Sequence, residues 1–78
     1  MVMEEEQTAM TPVTQARVGK FLTVANERGD QFRGTVQAVT PGGAVVEVYR
    51  HRDGKDWVTL RRPELRTVRG AQVVSDGR

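Results

Sequence analysis

The chain has 78 residues, with 12 Lys and Arg against 10 Asp and Glu, a formal net charge of +2, one His and no Cys. A chain of this length holds one small core that buries only about 60% of its unfolded surface, and without Cys it has neither disulfides nor thiolate metal sites to reinforce it. No apolar run approaches the roughly 20 residues of a bilayer span, and the acidic start lacks the basic and apolar regions of a signal peptide, so a cytoplasmic protein is expected.

Residues 1–16 carry Glu4, Glu5 and Glu6 and no Lys or Arg, and their Gln, Thr and Pro content gives little apolar periodicity. They are expected to be a mobile tail, with Pro12 interrupting the only helical candidate. Residues 17–70 contrast with it, holding 11 Lys and Arg against 6 Asp and Glu, a net +5. A basic surface attracts polyanions such as RNA or DNA, although the same charge also serves solubility alone.

The first strand is expected over Lys20–Asn26, with Leu22 and Val24 on one face and Phe21, Thr23 and Ala25 on the other. Asn26-Glu27-Arg28-Gly29-Asp30 reads as a turn in which Gly29 takes a positive φ. The second strand follows over Gln31–Val39, with Phe32, Val36 and Ala38 facing the core and Gly34 marking a bulge, a bend or a close backbone approach. Pro41-Gly42-Gly43 reads as a three-residue hairpin loop, which sets Ala38 opposite Val46 and Val36 opposite Val48. Arg52-Asp53-Gly54 repeats the device, setting Val48 opposite Val58 and Val46 opposite Leu60.

This register places Tyr49 opposite Trp57 on the outer face, with Thr35 beside Tyr49, Arg33 and His51 in the next row and Lys55 beyond. Val39 and Val45 are also expected to point outward. An aromatic pair rimmed by Arg33, His51 and Lys55 offers a stacking platform for nucleic-acid bases. The same pair also serves to stabilise a hairpin or to receive a protein partner. After Leu60, Arg61-Arg62-Pro63-Glu64-Leu65 reads as a 3₁₀ connector because Pro63 cannot join a regular ladder. Arg61 and Arg62 complete the candidate nucleic-acid-binding set. Arginines on an edge strand equally protect against edge-to-edge aggregation. A fifth strand follows over Arg66–Arg69 with Val68 inward, Gln72-Val73-Val74 adds a little strand, and residues 71–78 form a C-terminal tail fraying from Ser75.

Five short strands with glycine-rich turns and no long amphipathic helix predict an all-β, five-stranded SH3-like or Sm-like barrel over residues 17–70. Val24 to Val36, with Gly29 and Gly34 five apart and Phe32 between them, resembles the first motif of the Sm and Hfq proteins. Val58-Thr59-Leu60 leading into Leu65-Arg66-Thr67-Val68 is similar to their closing strand pair, and to the C-terminal Sm-like domain of the bacterial ribosome maturation factor. The resemblance implies RNA contact, more than DNA, and assembly into a homo-oligomer through strand edges. Where Sm proteins carry an aspartate and an asparagine for uridine, this chain has Thr40-Pro41-Gly42-Gly43, so no binding residue transfers.

Thr40-Pro41 with Gly43, Val46 and Glu47 also resembles a loop of the plasmid-borne trimethoprim-resistant dihydrofolate reductases. Their pore strand is Val-Gln-Ile-Tyr, whereas this chain has Val58-Thr59-Leu60-Arg61, so the residues for cofactor and substrate are absent. His51 with Asp53 or Asp56 is the one acid–base pairing available, and no phosphate loop, nucleophile motif or metal spacing accompanies it. The expectation is a non-enzyme without cofactor or metal that binds nucleic acid through Arg33, Tyr49, His51, Lys55, Trp57, Arg61 and Arg62, or alternatively a protein-interaction adaptor.

Overall fold

Alternating apolar and polar residues separated by glycine turns give an all-β chain, as expected. A computed structural model describes residues 11–75, so the Glu4–Glu6 run lies outside the described residues. Six strands run in chain order: β1 (Thr11–Pro12), β2 (Phe21–Ala25), β3 (Gln31–Thr40), β4 (Gly43–Asp53), β5 (Asp56–Arg69) and β6 (Gln72–Ser75), with one 3₁₀ turn at Gln15–Arg17. They form a single antiparallel sheet of order β1-β6-β2-β3-β4-β5. A closed five-stranded barrel was the expectation; the sheet instead has six strands, and its edges β1 and β5 do not pair.

The β2–β3 turn forms where predicted, and Asn26 builds it. Its Oδ1 accepts from the backbone N–H groups of Arg28 and Asp30, both at 2.9 Å, while Gly29 sits at a φ of 91°. A short amide side chain thus satisfies donors that the reversing backbone would leave unpaired.

The core is one cluster: Val13, Leu22, Val24, Val36, Ala44, Val46, Val48, Val68, Ala71 and Val73, with Phe32, Val39 and Leu60 packed against it. Val13, Ala71 and Val73 were expected in the tails. They are core residues because Gly70 turns the chain from β5 into β6, which crosses to pair with β2, and Val13 N–H donates to the Ala71 carbonyl at 3.1 Å. The folded part therefore extends beyond residues 17–70 at both ends. Thr23 and Ala25 lie on the face opposite Leu22 and Val24, as expected, yet both are buried, at 2% and 3% exposure. Thr23 is covered by Arg33, whose Nε donates to its Oγ1 at 3.1 Å.

Both hairpin registers differ from expectation. Pro41-Gly42 forms a two-residue turn with Thr40 opposite Gly43, so Ala38 faces Val45, and an irregularity at Gln37 then brings Val36 opposite Val46. Ala38 consequently points outward and is exposed, while Val39 packs on the core. In the second hairpin Gly54-Lys55 is the turn, Asp53 faces Asp56, and Gly54 has a φ of 63° at the first central position. This is the Gly-X pattern of a type II′ turn, whose twist matches that of the strands.

The larger correction lies beyond that hairpin. Thr59 faces Arg50 and Glu64 faces Val48, so Leu60-Arg61-Arg62-Pro63 stand unpaired opposite Tyr49. The expected 3₁₀ connector is instead a wide bulge within one continuous strand. Pro63 lacks a backbone N–H, and a bulge on an edge strand asks for none. None of the residues from Tyr49 to Thr67 is buried, and Val58 is 39% exposed rather than a core partner of Val48.

Of the bulge, bend or close approach expected at Gly34, a close backbone approach is what the structure holds there. Gly34 lies between Leu22 of β2 and Val48 of β4, next to a second register shift at Arg33. A Cβ there would collide with the Glu47 carbonyl oxygen and fall 2.9 Å from Val48 Cα.

Candidate functional site

The outer face of β2, β3, β4 and β5 is organised in rows across the strands, since directly opposed residues share a face. One row is Phe21–Thr35–Glu47–Leu65. The next, two residues along β2 and β3 and so about 7 Å away, is Thr23–Arg33–Arg50–Thr59. Beyond it lie Gln31, Arg52 and Trp57.

The last two rows gather arginines around the single tryptophan. The Arg33 guanidinium stands 4.2 Å from the Trp57 ring centroid and that of Arg52 stands 5.6 Å from it. Each such cation–π contact contributes about 0.5–1 kcal/mol at an exposed site. Hydrogen bonds fix both side chains: Arg33 donates to Thr23, and Arg52 donates through Nε to the Gly54 carbonyl at 3.0 Å and through Nη1 to Gln31 Oε1 at 3.3 Å. Arg50, exposed between them, makes no side-chain hydrogen bond or ion pair among the described residues. Nor does any carboxylate pair with Arg33 or Arg52 among those residues, so the positive charge of this face is not neutralised within the sheet.

Tyr49 belongs to a different aromatic pair. It stacks on Phe21, with ring centroids 5.8 Å apart and planes inclined by 21°, and its hydroxyl donates to Glu47 Oε1 at 3.1 Å. Phe21 is 41% exposed, so the stack borders solvent.

Of the seven residues singled out in the sequence, Arg33 and Trp57 meet as one unit. Tyr49 does not face Trp57, because the two-residue Gly54-Lys55 turn gives Trp57 to Arg52, and the bulge of β5 then leaves Tyr49 without a direct opposite. His51 leaves the row of Arg33: it pairs with Phe32 and Val58, out of phase with Arg50. No hydrogen bond or ion pair joins it to Asp53 or Asp56. Lys55 is exposed at the hairpin turn, and Arg61 and Arg62 are exposed in the bulge beside Tyr49.

Arg50, Arg52, Phe21 and Glu47 were missed. The Gly54-Lys55 step was the available signal, since a two-residue Gly-X turn there places Arg52 opposite Trp57 and Arg50 one row on. An open depression of about 320 Å³, lined by Gly29, Asp30, Gln31, Arg52 and Gly54, joins the two turns at the margin of the Arg–Trp face. Among the described residues there is no group of His, Asp and Glu able to hold a metal ion, and no helix long and apolar enough to cross a membrane. No protein-family model, no curated protein and no solved structure matches the chain.

Proposed function

We propose that this protein is a non-enzymatic nucleic-acid-binding module, favouring RNA over DNA, that works through the outer face bearing Arg33, Arg50, Arg52 and Trp57. The carrying observation is three guanidinium groups on one sheet face, two held against an indole and none paired with a carboxylate among the described residues. Guanidinium groups fixed before binding lose less entropy on meeting phosphates, and Arg presents paired donors to them. Trp57 acts here as a support that orients arginines; the base-stacking role falls to Phe21 and Tyr49. Arg61, Arg62 and Lys55 extend the basic field, while His51 lies outside it.

The strand order, with β5 leading through Gly70 into the partner strand of β2, supports reading the fold as an open SH3-like or Sm-like barrel. The resemblance to Sm proteins supports RNA over DNA, and an exposed aromatic platform favours the unpaired bases of a single strand of either. Fluorescence anisotropy with labelled single-stranded RNA and DNA, titrated with salt, tests the proposal. Binding that weakens steeply with salt and is abolished when Arg33, Arg50 and Arg52 are all replaced by Ala is the expected result. Absent or salt-insensitive binding would overturn it.

A second reading, a protein-interaction adaptor, is favoured by one observation: Leu65, 69% exposed, lies in the same row as Phe21. It predicts a homo-oligomer or partner complex that Leu65→Asp dissolves in sedimentation. An unchanged monomer in both forms would rule out self-assembly through this row.

A further inference from the structure

The stack of Phe21 and Tyr49 and the carboxylate beside it have a use that the arginines do not supply. We infer that this row seats a single unpaired base, with guanine preferred over uracil, in a single strand whose phosphates lie on the Arg33–Arg50 row. The inference rests on the nucleic-acid reading above and specifies its ligand.

Phe21 offers a ring that is 41% exposed and held by Tyr49, so a base finds an aromatic surface already ordered. Glu47 stands in the same row, one strand beyond Thr35. The Tyr49 hydroxyl donates to its Oε1 at 3.1 Å, and no other side-chain hydrogen bond or ion pair to Glu47 occurs among the described residues. An ionised carboxylate only accepts, so it selects bases by the donors they present. Guanine offers two adjacent donors, N1–H and the N2 amino group, which match the two oxygens of one carboxylate. Uracil offers one N–H flanked by two carbonyl oxygens, which the carboxylate repels. The Arg33–Arg50 row lies about 7 Å along the strands, on the scale of a nucleotide's reach from base to phosphate.

This arrangement also accounts for an acidic residue amid a basic face. Glu47 would weaken a surface built for phosphates alone, yet it serves base selection. A duplex keeps its Watson–Crick edges paired and its bases stacked, so it does not fit the row.

The test compares a labelled uridine tract with the same tract carrying one central guanosine, and each with its duplex form. The single-guanosine strand should bind about tenfold more tightly than the uridine tract, a factor within the range of one well-made base contact. Glu47→Gln, which keeps the size and the Tyr49 contact, should remove that preference while leaving the salt dependence in place. Phe21→Ala should weaken both strands by about 5- to 150-fold, the loss of one base stack. Circular dichroism checks that both variants fold, and Tyr49→Phe, which keeps the stack but removes the hydroxyl that orients the Glu47 carboxylate, should reduce the preference if either does not. Equal affinity for the two tracts with steep salt dependence would overturn the base seat and leave the nucleic-acid reading standing. No binding to either strand would overturn both.

Discussion

Replacing Gly34 by Ala should damage this fold far more than its single added methyl implies. Gly34 sits in the middle of the sheet, opposed by Leu22 on one side and Val48 on the other. The new Cβ would collide with the Glu47 carbonyl, so β3 and β4 must separate there. Overpacking of this kind costs about 1–3 kcal/mol, and each ladder hydrogen bond lost or stretched adds about 1 kcal/mol. The sum of about 2–4 kcal/mol is a large part of the roughly 4–12 kcal/mol expected for a domain of this length. At about 4–8 °C per kcal/mol it lowers the melting temperature by roughly 10–30 °C. Gly42→Ala is the control, since its Cβ would meet nothing within 4 Å and it lies exposed in a turn. That change should stay within about 0.5 kcal/mol. Thermal unfolding followed by far-UV circular dichroism compares the two. A Gly34→Ala protein melting within about 4 °C of the wild type would refute the close approach of β3 to β4, and with it the placement of Arg33 beside Arg50.

Leu22→Ala, at a side chain 1% exposed, should cost about 2–5 kcal/mol, whereas Val58→Ala, at 39% exposure, should cost under about 1 kcal/mol. Comparable losses in urea unfolding would restore Val58 to the core and reject the observed register. Arg33→Ala should uncover the indole of Trp57, the only tryptophan, and so raise its quenching by acrylamide and shift its emission to the red; an unchanged spectrum would deny the contact. Arg50→Gln, at a side chain without a partner among the described residues, should leave the melting temperature unchanged and reduce the slope of log affinity against log salt by about 0.7 for a single strand. A slope equal to that of the wild type would remove Arg50 from the interface.

The alternation of apolar residues was enough to give an all-β chain, the Asn26–Asp30 turn, and Leu22, Val24, Val36, Val46, Val48 and Val68 as inward residues. Those properties are local: a period of two within one strand, and a side chain that satisfies its own turn. The candidate site was only half legible, because its assembly depends on phase between strands. Each bulge resets that phase, and a bulge arises where a curling sheet must match strands of unequal path length.

At Tyr49 the reset spans four residues of β5, from Leu60 to Pro63. The β3–β4 shift beside Arg33 turns His51 out of the basic row and brings Arg50 into it, and the two-residue Gly54-Lys55 turn gives Trp57 to Arg52, while Tyr49 stacks on Phe21. The capture of Val13, Ala71 and Val73 by the core was equally hidden, since their short apolar segments gain burial only once β6 has crossed to β2. The residue types of a basic, aromatic β protein were thus present in the chain from the start. Which arginines stand on the indole, and which aromatic ring remains open to solvent, was decided by tertiary structure, because only the paired strands determine where the alternation is interrupted.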